Sequence, residues 1–445
     1  MTATRRPPSA PDSRELRLWK VGRALTVTFA AAVLAAGSVF YGLVVLLDFQ
    51  KIDTTAKLDA KTLFELVKLS FGVVAGAGAL VALVVAYRRQ RVDEAGAHRE
   101  ATRLHTERFS QAVDKLGSDS PAVRLGGVHA LAGLADDAPD DSLRQTCIDV
   151  LCAYLQLPFT PDPGSHPDQQ EEHHRYLAFR KVRHTILRLI GDHYRRPRGT
   201  HRSWQGCDLD LTGVTIDCNI DFSGTVFSGG TVNFSDATFS SGIVNFQRAV
   251  CTGGTVYFGG TTFAGSTVSF SHSSFAGGEI RFDRAIFARG TVYFHDVTFS
   301  TGTVHFGQAA FSGSTVYFDD ATFSGGGGPE DGMVSFSRST FSDGSVSFSR
   351  ATFSGSTIHF SSAAFSGSEV RFNDAEFSGG SLSYLGASFT GGEVSFDGAT
   401  FTGSRVSFHA ASGPAPRGLL SAVGTPVPAT VRMPWVPSPR SGGGR

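Results

Sequence analysis

"GTVYFHDVTFSTGTVHFGQAAFSGSTVYF", Gly290–Phe318, places aromatic rings at Phe294, Phe299, Phe306, Phe311 and Phe318, with gaps alternating between five and seven. Within each short segment, V-x-F or A-x-F, a small apolar residue stands two before the phenylalanine. Two is the β-strand period, so both side chains point to one side and the residue between them points to the other. Each segment therefore predicts one short extended face whose ring enters a shared core. Two-residue turns such as Ser235-Asp236 and Asp319-Asp320 follow V-x-F. The alternate corner is longer by two and rich in Gly and Ser, where glycine supplies positive-φ conformations.

Extended outward, the pattern recurs at every twelfth position from Thr225 to Phe408. Its core phenylalanines include Phe234, Phe239, Phe246, Phe258, Phe263, Phe294, Phe299, Phe306, Phe311 and Phe318; Tyr384 and Cys251 each replace a Phe once. One insertion, around Gly327–Gly332, interrupts the series. So strict a period predicts a β-solenoid. A coil of two faces would use one repeat and a coil of four faces two; the room needed for two rings, Val and Ala favours four. A single unit cannot bury its own apolar face, so stability must come from stacking.

Upstream, the chain is of another kind. Residues 24–47 and 69–87 are uncharged runs, each long enough at about 1.5 Å per residue to cross roughly 30 Å of hydrocarbon. Lys and Arg cluster before the first run (Arg5, Arg6, Arg14, Arg17, Lys20, Arg23) and after the second (Arg88, Arg89, Arg91). This bias predicts a transmembrane hairpin over 24–91 with both termini cytoplasmic, in the lipid bilayer of the plasma membrane, behind a basic segment 1–23. Gly72 and Gly76 are a small-xxx-small seam through which two copies could associate.

Residues 92–200 read as a helical module. Leu104, Phe109, Val113 and Leu116 lie near one helical face; Ser120 and Pro121 are the expected N-cap and first position of the next helix, with Val128, Leu131 and Leu134 as its stripe. A third helix carries Leu143, Val150, Leu151 and Leu155, a fourth Tyr176, Phe179, Val182, Ile186 and Ile190. "PAVRLGGVHALAGLAD" resembles one unit of a HEAT-type repeat. "EEHHRY", with Glu171, Glu172, His173 and His174, and His184 and His193 downstream, lacks metal-ligand spacing and reads as a solvated helix face. Residues 413–445 are Pro/Gly-rich and predict a disordered tail.

The chain has 40 basic and 40 acidic residues, but Gln205–Ser412 holds 13 Asp and 5 Glu against 8 Arg and no Lys, a net charge of −10. Five irregularly spaced cysteines, Cys147, Cys152, Cys207, Cys218 and Cys251, read as reduced packed thiols rather than a disulfide framework.

"WQGCDLDLTGVTIDCNIDFSG", Trp204–Gly224, resembles pentapeptide-repeat proteins: Leu209-x-Leu211 and Val214-x-Ile216 stand five apart, like that family's inward pair. With the helices upstream, the chain is similar to pentapeptide-repeat membrane proteins of actinobacteria. The resemblance implies a right-handed quadrilateral β-helix over 204–412 and no known chemistry. The two extra residues at alternate corners depart from that family's square coil.

No Ser/His/Asp order, P-loop or recurring carboxylate pair appears; His272, His295, Asp296 and His409 stand singly in turns. The expected function is thus non-catalytic, without cofactor or metal: a membrane-anchored scaffold binding a protein partner and no nucleic acid. The alternative is a DNA mimic acting on an enzyme such as gyrase, motivated by the −10 balance, although that charge is dilute beside one per about 1.7 Å of duplex axis. A sensor passing a loop-side signal through the hairpin is a third possibility.

Overall fold

The computed structural model describes scattered helical positions between 26 and 41, then residues 60–158, 162–164, 166–300, 302–325, 333–424 and 427–435. The basic segment 1–23, most of the run 24–47, the insertion at Gly327–Gly332 and residues 436–445 lie outside the described residues. The chain divides into two compact units, Met1–Ala101 and Thr102–Arg445.

In the first unit, the helix Ala60–Leu116 (α1) carries Gly72 and Gly76, with open space where a Cβ would stand at each. Leu69, Leu80, Leu83, Val84, Val85 and Tyr87 are exposed along it. Among the described residues no helix is long and apolar enough to cross a membrane; those residues do not include the side chains of Ser70, Phe71 and Val74 within the run 69–87.

The second unit begins with the end of α1, followed by Pro121–Asp136 (α2), Asp141–Gln156 (α3) and Gln170–Tyr194 (α4). Val128, Leu131, Leu134, Leu151, Leu155, Val182, Ile186 and Ile190 are buried, as the helical periodicity predicts. Leu104 is exposed instead, and His105 turns inward, where its Nε2 lies 3.1 Å from the Leu134 carbonyl. Ser120 occupies the N-cap of α2 without a side-chain cap bond. Asp140 caps α3 by accepting from the Leu143 N–H.

From Leu209 the chain winds into a parallel β-solenoid of about nine turns. Its coil has four faces, so each ladder partner stands two repeats along the chain: Val232 pairs with Val256, Phe239 with Phe263, Val268 with Val292 and Phe275 with Phe299, each in parallel register. The first coil is shorter by one, Leu209 pairing with Val232. Across the insertion, Val304 pairs with Val334 and Phe311 with Phe341, so the added segment leaves the register intact.

Rings in successive coils stack face to face along the axis, as in Phe270–Phe294 at 4.9 Å and Phe294–Phe318 at 4.6 Å, both within 2° of parallel. Columns on opposite faces meet edge to face, as in Phe282–Phe294 at 5.7 Å and 88°. The strand repeat imposes the stacking distance and the quadrupole favours the perpendicular contacts. A coil of a single repeat would have two ring columns where the solenoid has four.

The corners depart from expectation. From Thr262 onward there is no turn between the second and third faces: strands such as Thr262–Ser269 and Ala310–Tyr317 run through with a bulge, whereas the first two coils break there. Backbone strain concentrates at the tight corner, two after the V-x-F phenylalanine. Twelve non-glycine residues there, among them Asp236, Arg248, His272, Asp296, Gln308 and Asp320, hold φ of 54 to 59°. The corner is a turn closed by bonds such as Ala237 N–H to Phe234 O at 3.1 Å, and N–H groups of the strained residues bond to the next coil, as Gln308 does to Ser337 O at 2.9 Å. Left-handed backbone costs a non-glycine residue roughly 1–2 kcal/mol, so Gln308→Gly is expected to raise stability by about 1 kcal/mol in denaturant unfolding. A loss of stability would contradict this account of the corner.

Both ends of the solenoid are covered. At the first coil, side chains from α3, α4 and the C-cap residue Arg195 donate to carbonyls left open at the sheet edge: Gln156 to Asp210 O at 3.1 Å, Arg183 to Thr215 O at 3.1 Å, Arg180 to Asp217 O at 2.8 Å and Arg195 to Ser223 O at 2.8 Å. Gly191 of α4 packs so closely that a Cβ there would stand 2.7 Å from Asp221 O. At the far end, where a disordered tail is expected, the described residues 413–424 and 427–435 include elements that pack on the last coil. A short helix, Leu419–Val423 (α5), follows the last coil, Val431 pairs with Val406, and the Trp435 ring lies 5.4 Å from Phe408. An open solenoid end exposes apolar rings and unpaired backbone, which a terminal cap removes.

Candidate functional site

The interior is filled by apolar columns, so chemistry is confined to the outward residues, which the register lines up in rows. On the third face the row runs Asn245, Ser269, Tyr293, Tyr317 and Ser347, and the rings of Tyr293 and Tyr317 stack at 5.4 Å. Beside them lies a groove of about 570 Å³ lined by Ile243, Thr267, Ser269, Tyr293, His295 and Tyr317. Its lining combines two stacked tyrosine rings and Ile243 with polar side chains, the composition of a recognition surface.

The adjoining tight corner carries a row of alternating imidazoles and carboxylates across successive coils. His272 Nδ1 is 3.4 Å from Asp296 Oδ2, which is 3.1 Å from His295 Nε2; His295 Nδ1 is 3.5 Å from Asp320 Oδ2. Arg350 grips Asp320 with two bonds, 2.8 and 2.7 Å, and holds its carboxyl below the usual carboxylate range. Taken singly these are ordinary turn residues, but His272, Asp296 and Asp320 stand one coil apart and share one corner row. Applying the coil of two repeats to the turn residues as well as to the phenylalanines would have revealed the shared row.

A second cleft, about 520 Å³, lies between α4 and the first two coils, lined by Arg180, Lys181, His184, Asp217, Cys218 and Asn219. Asp217 accepts from Tyr176 and lies 3.3 Å from Arg180 Nε. Burial, with Lys181 close by, lowers the His184 pKa. Of the histidines expected on a solvated face, His173 is hydrogen-bonded through Nδ1 to Asp162 Oδ1 at 2.7 Å. His193 is not solvated: it is buried, stacked 4.1 Å from Trp204, with Nε2 3.1 Å from Asp136.

All five cysteines are free thiols. Burial pushes Cys147 and Cys152 up to about 12, and Cys218 and Cys251 up to about 11. Because the thiolate is the nucleophile, these four should resist Ellman's reagent in the native protein at about pH 8, and all five should react after denaturation. Rapid native labelling of Cys147 or Cys152 would contradict the packing described.

Four faces, parallel register and stacked phenylalanines define a parallel β-solenoid consistent with the pentapeptide-repeat fold. No family model matches the chain, and no curated protein is significantly similar to it.

Proposed function

We propose that this chain is a non-catalytic scaffold, anchored in the plasma membrane with both termini cytoplasmic, whose solenoid binds a protein partner along its third face. The observation that carries the reading is the groove beside the Tyr293–Tyr317 stack: rigid aromatic area with hydroxyl and charged neighbours on a surface held in register by every coil. Tyrosine offers contact area at little cost in rotamer freedom, which suits protein recognition. The uncharged runs and the exposed apolar residues of α1 support the anchor, with Gly72 and Gly76 as the seam for self-association. The DNA-mimic reading is less well supported. Several solenoid carboxylates are matched by arginines, Asp320 by Arg350 at 2.7 Å and Glu393 by Arg417 at 2.8 Å, which breaks up a phosphate-like array.

Two measurements test the proposal. The full chain should stay in the membrane pellet through alkaline carbonate extraction; release into the supernatant would remove the anchor. Proximity labelling in cells should lose a defined set of neighbours when Tyr293 and Tyr317 are both changed to Asp, with the unfolding midpoint unchanged. Identical neighbours for wild type and variant would remove the third face as the binding surface.

A further inference from the structure

The tight-corner cluster goes beyond a scaffold. We propose that His295, Asp296 and Asp320, with His272 as a fourth donor, bind one divalent transition-metal ion, for which Zn²⁺ is the probe.

One ligand atom from each of His295, Asp296 and Asp320 lies within 4.8 Å of the others. A tetrahedral ion about 2.0–2.2 Å from each donor holds its donors roughly 3.3 Å apart. Around the Asp296 carboxylate the separations, 3.1 Å to His295 Nε2 and 3.4 Å to His272 Nδ1, already bracket that value, while the Asp320 carboxylate stands 3.5 Å from the other His295 nitrogen, Nδ1. The donors come from three successive coils in register, and the three corner residues His272, Asp296 and Asp320 share one φ, 54 to 59°. The backbone therefore brings these residues to one corner before any ion binds. Imidazole with carboxylate suits a borderline cation. His295 ligates through one nitrogen and leaves the other to donate to a carboxylate, as metal-bound histidines commonly do. The four side chains are 29 to 52 % exposed, so an ion can enter directly and keep a position open to solvent beside the Tyr293–Tyr317 groove. Arg350 is the competitor: its two bonds to Asp320 must yield for that carboxylate to ligate.

The test is calorimetric titration of the purified, chelator-stripped full chain with Zn²⁺ at neutral pH. One equivalent should bind. His295→Ala and Asp320→Asn should each weaken binding at least about tenfold, while Arg350→Ala should tighten it by freeing Asp320. The double change His173→Ala, His174→Ala, away from the corner, should leave it unchanged. Circular dichroism and unfolding midpoints check that each variant folds, with His295→Gln as the second choice. Absence of a Zn²⁺ site, binding indifferent to His295→Ala, or weaker binding in Arg350→Ala would overturn the proposal and leave the corner an ion-pair network.

Discussion

Phe294→Ala is expected to destabilise the solenoid by about 3–5 kcal/mol, the usual range for emptying a fully buried aromatic site. Phe294 is completely buried and touches five rings: Phe270 and Phe318 stacked above and below, Phe282 and Phe306 edge-on, and Phe299 tilted. The hole cannot collapse, because each neighbouring ring is held at the strand repeat by its own coil. Phe401, near the end, is only partly buried and has Phe377 and Phe396 as ring neighbours. Phe401→Ala should cost roughly half as much or less, since a solenoid is stabilised by nearest-neighbour coils and a terminal coil has one fewer. Denaturant unfolding of both variants checks the order. Equal losses, or a loss below about 1 kcal/mol for Phe294→Ala, would show that the coils do not pack as described.

Gly278→Val should be at least as damaging, through the backbone rather than the core. Gly278 has φ +77°, and a Cβ there would stand 2.1 Å from the carbonyl oxygen of Gly254 in the preceding coil. That oxygen accepts the inter-coil bond from the Glu279 N–H at 3.3 Å, so it cannot move aside without losing the ladder at that point. β-Branching adds to the penalty of left-handed backbone. The expected loss exceeds about 3 kcal/mol, with the coils on either side separating into two unfolding transitions. A single unshifted transition would contradict the close approach. Gly355, also at positive φ but with nothing within 4 Å of its Cβ position, is the matched control: its substitution should cost only the conformational term.

Much of the candidate site was within reach of the sequence. His272, His295 and Asp296 read as isolated turn residues while the repeat is counted in twelves. The favoured coil of two repeats already sets His272, Asp296 and Asp320 24 residues apart on one corner; what the sequence leaves out is that their side chains, with His295, converge there. His193 illustrates the opposite limit. Nothing in "GDHYRR" announces burial, which depends on Trp204 and Asp136 arriving from later and much earlier in the chain. The tail misled for a related reason: "GPAPRGLLSAVGTPVPATVRMPW" has the composition of a disordered segment, yet its Val431 and Trp435 meet an open solenoid end that only the assembled coils create.

Period-two alternation and a twelve-residue recurrence were enough to establish extended faces, inward rings and a stacked core, because those features depend on residues close in the chain. Which corner bears the strain, how the coil ends are sealed and which polar side chains converge depend on which coil lies over which. That is set by register between whole coils, as between Asn245 and Asp221 on adjacent turns, and only the folded solenoid contains it.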